Sequence, residues 1–88
     1  MKAKHKSQER ALDALVAAHA ALQKTKGLHA PHAGEAHASV LLARKTLWWA
    51  FQGAMINGLD ATRVLLELNQ GKDLHALRKI HLSAALHS

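Results

Sequence analysis

Cysteine is absent from this 88-residue chain, which excludes disulfide bridges, thiolate metal sites and thiol nucleophiles. Small domains commonly lean on a disulfide, a metal or self-association, because a chain of this length hides only roughly 60–65 % of its unfolded surface. Without the first of these, metal or oligomerisation is left. The lack of cysteine fits a reducing, cytoplasmic setting. Tyrosine is also missing, and there are one Phe, two Trp and a single Pro against eighteen alanines and fifteen leucines. Strands favour aromatic and β-branched residues, whereas Ala and Leu favour helix, so the composition reads as all-α. Long apolar runs are wanting as well. Arg44 and Lys45 break the longest candidate, and the stretch from Thr46 to Leu59 is too short for a bilayer. The basic start is followed by Ser7, Gln8, Glu9, Arg10 and Asp13 rather than by the apolar core of a signal peptide.

Carboxylates are few: six against twelve Lys and Arg, for a net charge of +6. Lys2, Lys4 and Lys6 supply half of that excess, and the rest of the chain carries nine basic against six acidic residues. Asp60 and Asp73 precede helical segments as N-caps, which leaves little for acid–base chemistry. No G-x-S-x-G, P-loop, H-E-x-x-H or dinucleotide fingerprint occurs, so the sequence reads as non-enzymatic and cofactor-free.

What is present is helical periodicity. Residues 1–6 read as a flexible basic tail and 7–88 as one helical domain with helices over about 8–26, 35–57, 61–70 and 74–86. Ser7 is the expected cap of the first helix. Leu12, Leu15, Val16, His19 and Leu22 form its inward stripe, with Glu9 in its first turn and Lys24 and Lys26 in its last. Gly27, Gly58 and Gly71 are expected terminators, with Leu28 and Leu59 folding back as the apolar residues after the first two. Val64, Leu65 and Leu68 mark the third helix, and Leu74, Leu77, Ile80 and Ala84 the fourth.

The second helix carries the clearest pattern, three apolar triplets spaced by seven: Val40-Leu41-Leu42, Leu47-Trp48-Trp49 and Ala54-Met55-Ile56. At about 100° per residue each triplet spans about 200° of circumference, wider than one neighbour covers. Either this helix lies at the centre of the domain, or part of it, the Leu42/Trp49/Ile56 line, packs on another chain. Vicinal tryptophans point about 100° apart, so burying both takes two receiving surfaces. Leu42, Trp48, Trp49, Phe51, Met55 and Ile56 are therefore the expected interface. The expectation is a compact bundle of two long and two short helices that dimerises through the second. It would act by docking on a protein partner as an adaptor, regulator or inhibitor, in the size range of phage and mobile-element products that disable host proteins.

Two other chemistries have residues to offer. Gly71 between two short helices has the placement of a helix-turn-helix glycine, and Leu66, Leu77 and Ile80 fall at its apolar positions. DNA or RNA would then meet His75, Arg78 and Lys79, with Lys2, Lys4 and Lys6 on phosphates. Against it, Gln70 and Lys72 stand where apolar residues usually close that turn, and a solvated bundle face explains the same charges. Eight histidines invite a metal, most densely at His29, His32, Glu35 and His37, but the spacing matches no closed site and loop histidines are usually solvated. His19 and His81 lie near apolar stripes and could meet across the core, or each could find its own polar partner.

Overall fold

The computed structural model describes the backbone of residues 2–28 and 37–86 and the side chains of 6–28 and 37–82. Its elements are four helices, α1 (Lys2–Gln23), α2 (Ala38–Ile56), α3 (Ala61–Asn69) and α4 (Leu74–Leu86), with no strand among the described residues. The two long and two shorter helices expected from periodicity are thus present. No helix among the described residues is long and apolar enough to cross a membrane.

The central helix is α1. It packs against α2, α3 and α4, α2 also packs on α3, and a hydrogen bond from His81 to Glu67 joins α4 to α3. The stripe of Leu12 and Leu15 is fully buried, and Ala18 and Gln8 join it. Around these two leucines gather Ala54 from α2, Leu59 and Ala61 from the next junction, Val64 from α3, and Leu77 and Leu82 from α4. Val16, Leu47, Phe51, Leu65, Leu68 and Leu74 pack on the margin of that cluster. The resulting body is compact about one core but slab-like, 51 × 23 × 15 Å.

Several local expectations change. Helix α1 begins at Lys2, so Ser7 lies within it rather than at its cap, and the segment read as a tail is helical. Nothing between Lys2 and Gln8 opposes helix, and Lys and Ala are good helix formers. The helix ends at Gln23, which places Glu9 beyond its first turn and Lys24 and Lys26 outside it. Gly27 follows a run of tight turns, and Leu28 is exposed rather than folded back. On α4, Leu77 is buried but Ile80 is exposed, and Leu82 takes the core position instead. The inward arc is centred near His81, about 100° from Ile80. Ala84 lies outside the residues whose side chains are described.

The two later junctions follow the expected stop signals. Asn57 caps α2, Gly58 has φ of 84°, Leu59 N–H donates to the Ala54 carbonyl and Gly58 N–H to that of Met55, which together make a Schellman motif. Leu59 drops into the core. Buried Gln8 donates through Nε2 to the Asn57 carbonyl at 2.8 Å, tying this junction to α1. Gly71, with φ of 94°, repeats the motif: Lys72 N–H reaches the Glu67 carbonyl and Gly71 N–H that of Leu68. Asp60 and Asp73 accept from Arg63 N–H and Ala76 N–H, as caps should.

Candidate interaction surface on the second helix

Helix α2 buries its small residues and displays its large ones. Ala43 and Ala54 are buried, and Leu47, Ala50 and Phe51 are half-buried against α1 and the core. Alanines at these positions let the α1 and α2 backbones approach closely. The opposite side of the helix carries Leu41, Leu42, Trp48, Trp49, Met55 and Ile56, all exposed, with Ile56 at 83 % and Trp49 at 61 % of their full accessibility. At about 100° per residue the centres of the two apolar faces lie about 180° apart. The wide triplets therefore reflect two faces on a peripheral helix, not a helix at the centre of the fold.

The exposed face has internal order. Leu41, Trp48 and Met55 form one row, and Leu42, Trp49 and Ile56 a second about 100° round the helix, with Lys45 and Gln52 between them. The two indole rings meet edge to face, centroids 5.0 Å apart and planes at 84°. Two exposed vicinal tryptophans thus find each other rather than two separate receiving surfaces. Taking about 250 Å² for Trp and about 200 Å² for the aliphatic residues, the six residues show roughly 800 Å², above the roughly 300–600 Å² of the largest apolar patch on an ordinary monomer.

Of the six residues expected at the interface, five lie on this face. Phe51 does not: it turns toward the core, since its position falls on the edge of the inward arc. Leu41, the missed member of the face, belongs to the first row, whose spacing of seven from Trp48 and Met55 was visible in the triplets.

Elsewhere the polar groups serve the fold. Arg78 Nη2 lies 2.9 Å from both carboxylate oxygens of Asp13, joining α4 to α1, so Arg78 is engaged with a carboxylate rather than offered outward with His75 and Lys79. Of the three apolar positions expected of a helix-turn-helix, Leu77 is buried but Leu66 and Ile80 are exposed, so those two do not close the α3–α4 unit onto the core. Lys6 is exposed, and the side chains of Lys2 and Lys4 lie outside the described residues. His37 caps α2, its Nδ1 accepting from Ser39 N–H at 3.1 Å. His29, His32 and Glu35 lie outside the described residues, and among those described no three potential ligands gather for a metal.

His19 and His81 do not meet; each has its own partner. His19 Nε2 donates to Asn69 Oδ1 at 3.0 Å. His81 Nε2 donates to Glu67 Oε1 at 2.6 Å, and Lys72 Nζ to Glu67 Oε2 at 3.0 Å. The Glu67 side chain is only 8 % exposed, and its signal was a carboxylate inside the Val64/Leu65/Leu68 stripe. Lys72 occupies the position after Gly71 where a Schellman motif usually places an apolar contact, and a salt bridge closes the turn there instead. The hydrogen bond from His81, then that from Lys72, holds the Glu67 carboxyl below its ordinary range. A lowered carboxylate contributes stability that is present above its unfolded pKa of about 4.3 and lost as pH falls through the lower folded value. Wild type is thus expected to exceed Glu67→Gln in urea midpoint at neutral pH, the gap closing below about pH 4.3. A gap unchanged down to pH 2 would contradict this account.

No family model matches the chain, and comparison with curated proteins and with solved structures returns no match.

Proposed function

We propose that this chain is a non-catalytic helical protein that works by docking on protein through the outer face of α2, as an adaptor, regulator or inhibitor, and that it forms a homodimer through the same helix. The single observation supporting this reading is the doubled apolar face of a peripheral helix, with its large residues turned to solvent. Aromatic and large aliphatic anchors with few charges between them are the residues that dominate protein interfaces. A protein partner accounts for why Trp48 and Trp49 stand outside while alanines fill the inside.

Both tryptophans of the chain lie on this face, so intrinsic fluorescence reports on it alone. Covering the face is expected to shift indole emission to shorter wavelength as protein concentration rises, in step with a doubling of mass by sedimentation. Affinity capture from native extract, with and without nuclease and at low and moderate salt, tests the docking role. A stoichiometric protein retained after nuclease and salt supports it. Emission and mass constant across concentration would remove the dimer, and nucleic acid alone, released by salt, would replace the docking reading.

A further inference from the structure

The order of residues on the exposed face of α2 says how two copies would meet, and this step depends on the reading that the face is a protein-docking surface. Each row reads alike in both directions by side-chain class: Leu41-Trp48-Met55 and Leu42-Trp49-Ile56, aliphatic, aromatic, aliphatic. A two-fold axis perpendicular to the helix near Trp48 and Trp49 superposes each row on itself reversed. We propose that the occupant of this face is a second copy of the chain, with the two α2 helices antiparallel. Trp48 then faces Trp48 of the other copy, Trp49 faces Trp49, Leu41 faces Met55 and Leu42 faces Ile56.

Charge selects this direction over the parallel one. Helix α2 contains no carboxylate, and its only charged residues are the adjacent, exposed Arg44 and Lys45. A parallel pair would set Lys45 against Lys45 on the midline, with both Arg44 side chains at the same level and no acidic group on either helix to balance four cations. An antiparallel pair sets Lys45 against Gln52, whose amide oxygen accepts from an ammonium, and moves the two Lys45 positions about 10 Å apart along the axis at about 1.5 Å per residue. The area is also suitable. Roughly 800 Å² of exposed residue surface per copy matches the roughly 800 Å² that each partner contributes to a standard interface. Gly53, in the last turns of α2 beside the Trp49/Ile56 row, adds a second indication. A Cβ there would meet nothing within 4 Å among the described residues, so their packing gives no reason for glycine, whereas a close neighbour along that flank does.

Because the chain has no cysteine, single cysteines placed in the full-length protein report the geometry cleanly while Arg44 and Lys45 stay in place. Leu41→Cys is mixed and oxidised with Met55→Cys in one tube and with Leu42→Cys in another, the two variants of each mixture carrying tags of different size. In the antiparallel pair 41 and 55 face each other, while 41 and 42 of different copies are separated by about 20 Å; in the parallel pair these relations are exchanged. Disulfides need Cα atoms closer than about 7 Å. The expected result is at least tenfold more mixed disulfide for 41 with 55 than for 41 with 42. The reverse ratio would overturn the antiparallel direction and leave the α2 dimer standing. A sedimentation dimer with neither disulfide would overturn both, placing the contact elsewhere. A wild-type monomer at all concentrations that still retains a foreign protein, lost on substituting Trp49 and Ile56, would overturn self-pairing while leaving protein docking intact.

Discussion

The double substitution of Trp49 and Ile56 by glutamine is expected to leave a folded monomer. Both side chains point away from α1, with 61 % and 83 % of their accessible surface in solvent, so neither contributes a contact to the core. Substitutions at such positions usually change stability by about 0.5 kcal/mol or less, and glutamine keeps the helix propensity that valine or asparagine would lower. The far-ultraviolet dichroism and the urea midpoint should therefore match wild type. Association should not survive. Central aromatic and large aliphatic anchors typically cost about 2 kcal/mol or more each when truncated, and two of them correspond to a dissociation constant raised by roughly a thousandfold or more. Sedimentation and retention of any captured protein measure this directly. Unchanged association would show that the exposed face of α2 is not the contact, whereas loss of helicity would show that these side chains support the monomer after all.

Much of the architecture is legible in the residue order because stop and start signals are local. Asp60, Asp73, Gly58 and Gly71 act through atoms within five residues of themselves, and each occupies its expected cap. The core stripe of α1 was equally plain, since Leu12 and Leu15 repeat at helical spacing. What resisted reading was the direction in which α2 faces. Hydrophobicity alone points inward with Trp48, Trp49 and Ile56, yet the inward face is centred on Ala43, Ala50 and Ala54 with Leu47 and Phe51 beside them, where α1 packs on α2. The distance between two helices is a tertiary quantity that no single helix declares. The same holds for Glu67: whether a carboxylate in an apolar stripe is misplaced or partnered depends on His81 arriving from another helix fourteen residues later. The spacing of seven in both rows was visible in the triplets, but the exposure of the two rows together and the inward turn of Phe51 required the packing to be seen.

The largest loss of stability is expected from Leu15→Ala. Leu15 is wholly buried at the place where α1 meets the rest of the core, and among the described residues the other large, fully buried side chains are Leu12, Leu77 and Val64. Removing three carbons there forfeits their transfer free energy and leaves a cavity, for about 2–5 kcal/mol in total. A domain of this length is stable by roughly 4–13 kcal/mol, so the substitution consumes a large share of the margin. With a shift of about 4–8 °C per kcal/mol for a domain this size, the thermal midpoint should fall by at least about 10 °C, accompanied by loss of far-ultraviolet signal at temperatures where wild type is intact. Self-association would make the midpoints of parent and variant alike depend on protein concentration, because anything that binds only the folded state raises its apparent stability. The comparison is therefore cleanest in the Trp49/Ile56 background, where the monomer stands alone. A midpoint within 2–3 °C of its parent, read against the usual scale of core truncations, would mean that α1 is not the centre of the fold. Wild-type and Leu15→Ala midpoints that both stay constant as protein concentration rises would mean that association adds nothing to stability, which would count against the α2 dimer as well.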